Sequence, residues 1–88
     1  MSRLVCSLLE HIKPRSWPVI PLRISFGHRV RDLRRASGMS QEEFADKCGF
    51  ARTYMSRIET GGANPSLDAI QVLATALRIP VATLFEKL

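Results

Sequence analysis

Residues 40–59 read SQEEFADKCGFARTYMSRIE, and the fold turns on them. Ser40 with Glu43 three residues on is a capping box, which starts a helix by satisfying two orphan backbone donors reciprocally. Phe44, Ala45 and Cys48 then form an apolar stripe at i, i+1 and i+4. Gly49 can take the positive φ that ends one helix and redirects the chain. A second stripe follows at Ala51, Met55 and Ile58, and the small Ala45 lets the second helix cross closely. The pattern predicts two short amphipathic helices joined at a tight turn, a helix-turn-helix.

Working outward, Ser25 is predicted to begin a helix that runs to about Ser37, with Phe26, Val30 and Leu33 on one face. Arg29, Arg31 and Arg35 point mostly elsewhere, and Gly38 is placed as the residue just past the helix end. After the motif, Gly61-Gly62-Ala63-Asn64-Pro65 reads as a loop. Ser66 caps a further helix to about Arg78, with Leu67, Ile70, Leu73, Ala74 and Leu77 inward and Asp68 favouring the helix dipole. Pro80 stops it. A last helix from Val81 to Lys87 supplies Val81 and Leu84, with Phe85 and Leu88 as further candidates. The expected fold class is all-α: five short helices packed as one compact domain over residues 25–88, preceded by an N-terminal extension, residues 1–24.

Composition narrows the function. The 88 residues are 45% hydrophobic and carry a formal charge of +5, which suits a small globular domain with an anionic partner such as nucleic acid. Much of the excess lies early, in Arg3, Lys13, Arg15 and Arg23 against Glu10. Residues 26–88 hold nine basic and seven acidic side chains, so nucleic-acid binding there needs local clustering rather than bulk charge. Cys6 and Cys48 make no disulfide framework, which fits a reducing cytosol. No apolar run approaches the ~20 residues needed to span a membrane, and Leu4 to Leu9 is too short and interrupted for a secretory leader. His11 and His28 are isolated, no Cys/His set has zinc spacing, and no glycine loop with lysine cradles a phosphate. An enzyme, a metal, a cofactor and a small-molecule effector are therefore not expected.

Placed on a helical wheel, the second helix of the motif turns Ala51, Met55 and Ile58 inward and Thr53, Ser56, Arg57 and Thr60 outward, with Arg52 and Tyr54 on the flanks. Arginine matches the O6 and N7 acceptors of guanine, and threonine can meet a thymine methyl or hydrogen-bond a base edge. Arg52, Thr53, Ser56 and Arg57 are the candidate base contacts. Gln41, at the start of the first helix of the motif, Tyr54 and Asn64 are the candidate DNA backbone contacts. For Tyr54 an equal alternative is that the ring covers the edge of the core.

The extension leaves three readings open: a loosely ordered or over-long start, a packing arm that extends a dimer interface, or a basic arm touching DNA. Arg3 to Ile12 has helical spacing, Pro14, Pro18 and Pro21 break regular structure, and Val19 to Ile24 reads as extended.

Gly38-Met39-Ser40-Gln41, Phe44-Ala45, Gly49, Met55, Ile58-Glu59, Gly61 and Asn64-Pro65-Ser66-Leu67 together resemble the helix-turn-helix domain of the Cro and phage-repressor family, the xenobiotic-response-element type. Arg52-Thr53-Tyr54-Met55-Ser56 followed by Ile58-Glu59 resembles the recognition helix of restriction–modification controller proteins, which are small dimeric regulators. The resemblance implies a lambda-repressor-like fold, Arg52, Thr53 and Arg57 facing bases, and Gln41 and Tyr54 near phosphates. It also implies a partly buried ion pair between Arg34 and Glu59. Family members often carry basic residues where this chain has Thr60, Gly62 and Ala63, which implies weaker phosphate contact in that loop.

Two functions are weighed. The first is a bacterial or phage transcriptional regulator, cytoplasmic and nucleoid-associated, that binds double-stranded DNA as a homodimer through Leu84, Phe85 and Leu88. For those three residues, burial in the protomer's own core is the competing assignment. The second is an antitoxin-like or other protein-interaction module that uses the same fold, a reading motivated by the apolar residues and Trp17 of the extension.

Overall fold

A computed structural model describes residues 21–88. The expectations for Arg3–Ile12, Trp17 and the remainder of residues 1–20 lie outside the described residues. From residue 21 onward the chain forms five helices: α1 (Leu22–Ala36), α2 (Gln41–Cys48), α3 (Arg52–Thr60), α4 (Leu67–Leu77) and α5 (Val81–Leu84). No strand occurs among the described residues.

Helix α1 begins three residues earlier than the sequence suggests. Pro21 precedes it at φ −57°, and its carbonyl accepts from the Ile24 and Ser25 N–H groups at 3.0 and 3.3 Å. A proline at a helix N-terminus costs nothing, because its missing N–H would have no partner there. Leu22 to Ile24 are accordingly helical, not extended, and Ser25 is within the first turn, not at the cap.

The core collects Phe26 and Val30 of α1, Phe44 and Ala45 of α2, Met55 and Ile58 of α3, Leu73, Ala74 and Leu77 of α4, and Leu84 of α5. Helix α1 packs most extensively on α3. Gly27 makes that crossing possible: a Cβ there would fall on the Ile58 carbonyl oxygen and within 2.8 Å of that of Glu59. In the sequence the only hint is a glycine inside an otherwise helical run.

Four expectations about burial are corrected, the first being Val81, which is 42% exposed at the start of α5 rather than part of the core. Ala51 is exposed, because α3 starts at Arg52 and Ala51, at φ −65° and ψ 145°, stands outside the helical period. Leu67 is 84% exposed. The buried side of α4 centres on Leu73, Leu77 and Ile70, and Leu67 sits at its margin in the first turn. Leu84 is fully buried in the core, so it is not available as a dimer-interface residue, whereas Phe85 and Leu88 keep 39% and 44% of their surface exposed.

Helix α5 also stops at Leu84 rather than Lys87. The Thr83 carbonyl, which a longer helix would offer to Lys87, accepts instead from the Glu86 N–H at 3.4 Å and from Arg29 Nε at 3.1 Å, and Lys87 adopts φ 59°. Arg29 further meets Glu86 at 3.6 Å, and Phe85 stacks at a tilt on Phe26 with ring centroids 5.1 Å apart. These contacts tie the end of the chain to α1.

Candidate nucleic-acid interface

The turn that aims α3 is built as its residues require. The Ser40 hydroxyl accepts from the Glu43 N–H and the Glu43 carboxylate accepts from the Ser40 N–H, both at 3.0 Å. Hydrogen bonding to the carboxylate, from the Ser40 N–H foremost and from the Ser40 hydroxyl next, holds the Glu43 carboxyl below its ordinary pKa. At the other end of α2, Gly49 takes φ 72° and donates to Asp46, while Phe50 donates to the Ala45 carbonyl at 2.9 Å. This is a Schellman closure, in which the left-handed glycine lets two late carbonyls find partners. Only Gly49, Phe50 and Ala51 separate α2 from α3.

Helix α3 has one wet side and one dry side. Met55, Ile58 and Glu59 are buried, Arg52, Thr53, Arg57 and Thr60 are exposed, and Tyr54 and Ser56 lie between. The structure therefore brings Arg52, Thr53, Ser56 and Arg57 together on the outer face of one short, rigid helix. Arg52 lies 3.8 Å from Glu42, with both side chains about two-thirds exposed, so the pair restrains it only weakly. Arg57 donates through Nη2 to the Gly62 carbonyl at 3.1 Å, which lays its stem along the following loop. Thr60 donates to the Ser56 carbonyl at 2.9 Å, a back-bond that commits its hydroxyl to the helix.

The candidate backbone contacts are more scattered. Tyr54 makes an edge-to-face contact with Phe50 at 5.1 Å and packs on the core margin. Gln41 is half-buried and donates through Nε2 to Glu59 Oε1 at 3.2 Å. Asn64 stands apart from the α3 face: it edges an apolar groove of about 300 Å³ walled by Leu22, Phe26, Pro65, Ile70 and Phe85.

Beneath this face lies a fully buried carboxylate. Glu59 accepts from Arg34 Nε at 2.7 Å and Nη2 at 3.0 Å, and Arg34 uses Nη1 for the Met39 carbonyl at 2.8 Å. Arg31 approaches the same carboxylate at 3.6 Å. One buried charge thus links α1, the α1–α2 turn, the start of α2 and the end of α3. The spacing of charged residues along the chain did not disclose the parts of Gln41 and Arg31 in this network, because both depend on how α1 and α2 are rotated against α3.

No group of three or more His, Cys, Asp or Glu residues among the described residues is placed to hold a metal ion. No described helix is long and apolar enough to cross a membrane. Burial pushes the lone described thiol, Cys48, up to about 11, so at neutral pH it is a small apolar side chain rather than a nucleophile.

Comparison with known proteins agrees with this geometry. The family described as "Helix-turn-helix domain" matches residues 25–86. The control protein C.BamHI of Bacillus amyloliquefaciens is 42% identical over 66 residues, 74% of this chain and 82% of that protein. The crystal structure of the restriction–modification controller protein C.AhdI of Aeromonas hydrophila superposes with a TM-score of 0.69 at 47% identity, covering 70% of this chain and 94% of the other. C.Esp1396I, solved as a tetramer with its natural 35 base-pair operator, superposes with a TM-score of 0.68 at 28% identity, covering 74% and 86%. With the capped turn, the exposed α3 face and these relatives in agreement, the chain belongs to the Cro and phage-repressor type helix-turn-helix family, which includes the restriction–modification controller proteins.

Proposed function

We propose that the protein is a sequence-specific, DNA-binding transcriptional regulator that acts as a homodimer on a pseudo-palindromic operator, in the manner of a restriction–modification controller. The observation that carries this reading is the single exposed face of α3, where Arg52, Thr53, Ser56 and Arg57 stand together above a buried ion-pair network. Arg52, Thr53 and Arg57 read base edges in the major groove. Gln41 and Tyr54 lie towards the backbone, and Asn64 follows in the next loop. It acts without catalysis and without a cofactor, in the cytoplasm, on the nucleoid.

One helix-turn-helix reads only a few base pairs, so useful affinity needs two half-sites about one DNA turn, ~34 Å, apart. The exposed apolar residues at the chain's end, Val81, Phe85 and Leu88, supply the dimer contact. The relatives named above are DNA regulators and lend no support to the alternative of a pure interaction module.

Replacing Arg57 by alanine tests the reading. Its side chain is exposed and donates its hydrogen bond to an exposed loop carbonyl, so the melting temperature should hardly move. Binding to a selected operator should fall more than tenfold, within the roughly 5- to 150-fold range that loss of a bidentate base contact of about 1–3 kcal/mol gives. Unchanged operator affinity would count against the assignment.

A further inference from the structure

Arg31 is a residue whose charge the fold leaves unneutralised. Its guanidinium lies 3.6 Å from Glu59 Oε1, within ion-pair range but beyond hydrogen-bond range. The same carboxylate already accepts two hydrogen bonds from Arg34 and one from Gln41, which takes up most of its lone-pair capacity. Two guanidinium groups therefore share one carboxylate, and a net positive charge is left over. Among the described residues, Glu59 is the one carboxylate within 4 Å of Arg31. The Glu59 side chain is sealed from water, whereas that of Arg31 is 32% exposed, so the surplus charge and its free N–H donors face outward.

Position gives that charge a purpose. Arg31 Nε and Gln41 Nε2 both lie within 4 Å of one oxygen, Glu59 Oε1, so the two side chains are neighbours at the start of α2, the helix that leads into the turn before α3. We infer that Arg31 is a DNA-backbone contact. Its guanidinium forms charge-assisted hydrogen bonds to a phosphate beside Gln41, and Glu59 holds the two donors side by side. This rests on the DNA-binding reading above and adds to it a cation on α1, outside the recognition helix. It also places positive charge on a domain in which Thr60, Gly62 and Ala63 contribute none.

The test compares the full-length protein with Arg31→Gln, Arg31→Lys and, as control, Lys47→Gln, by measuring affinity for a selected operator duplex across a salt series. Lys47 is at the far end of α2, against Gln71 and Thr75. A phosphate contact releases about 0.9 counterion. Arg31→Gln should therefore lower the slope of log affinity against log salt by about 0.9 and weaken binding several-fold at low salt. Arg31→Lys should keep the slope, and Lys47→Gln should match the wild type. If Arg31→Gln lowers the melting temperature but leaves the slope unchanged, Arg31 is only a structural partner of Glu59 and the inference is overturned. If the wild-type protein selects no operator at all, the DNA-binding reading fails and this inference falls with it.

Discussion

Arg34 of α1 and Glu59 of α3 meet as a two-pronged ion pair, Nε to Oε2 at 2.7 Å and Nη2 to Oε1 at 3.0 Å, with the carboxylate wholly shut off from water. Removing one partner of such a pair leaves an uncompensated buried charge, which costs about 3–5 kcal/mol, while replacing both by apolar side chains can be close to neutral. Arg34→Ala should therefore lower the unfolding free energy measured by urea titration by that amount, and Arg34→Met combined with Glu59→Leu should recover most of it. Equal loss in the single and double variants would show that the helix crossing, not charge balance, sets the cost.

Gly27 and Gly49 should respond differently to alanine. At Gly27 the new methyl would press on the Ile58 and Glu59 carbonyls, and backbone cannot move aside cheaply. Overpacking of this kind costs about 3 kcal/mol. At Gly49 nothing lies within 4 Å, and the cost is the φ of 72° alone, about 1–2 kcal/mol. Chemical unfolding of the two variants should rank Gly27→Ala as the more damaging; the reverse order would mean that α1 can slide on α3.

Glu43 gives the capping box a pH signature. Its carboxyl is held below the ordinary value by the Ser40 N–H and hydroxyl, so the folded state binds the proton more weakly than the unfolded chain. The stabilisation is then complete above the unfolded glutamate pKa, about 4.3, and disappears as pH falls through the lower folded value. The melting-temperature gap between wild type and Glu43→Gln should be constant from pH 7 to about 5 and shrink below that. A gap that persists unchanged into strong acid would rule out the ionised carboxylate as its source.

Leu84 and Leu88 separate core from surface. Leu84 is fully buried and Leu88 is 44% exposed. Leu84→Ala should cost about 2–5 kcal/mol of stability, as large-to-small changes in a packed core do. Leu88→Ala should leave the monomer fold intact and shift the monomer–dimer equilibrium measured by analytical ultracentrifugation. A destabilised Leu88→Ala protein with unchanged self-association would move the dimer contact elsewhere.

Local chemistry made the motif legible in the sequence. The Ser40–Glu43 box, Gly49, and the stripes ending in Met55 and Ile58 are short-range signals that hold whatever the rest of the chain does. The errors came where tertiary contacts or small shifts of helix boundary decide. Ala51 left its stripe because α3 starts one residue later. Leu67 had the right spacing but the wrong end of the helix. The final helix ends early, where Arg29, fifty-four residues back, and the Glu86 N–H share the Thr83 carbonyl. Likewise the outward face of α3 could be drawn on a wheel, but the sharing of Glu59 by Arg31 and Gln41 depends on three helices meeting, which no single periodicity encodes.

The most direct test of sequence-specific, dimeric recognition through α3 is selection of bound sites from random duplex DNA, run with the wild type and with Arg52, Thr53 and Arg57 all replaced by alanine. The expected result is an enriched pseudo-palindrome with half-site centres about one helical turn, ~34 Å, apart, whose preferred bases disappear in the triple variant. A single unpaired site, or the same consensus from both proteins, would contradict it.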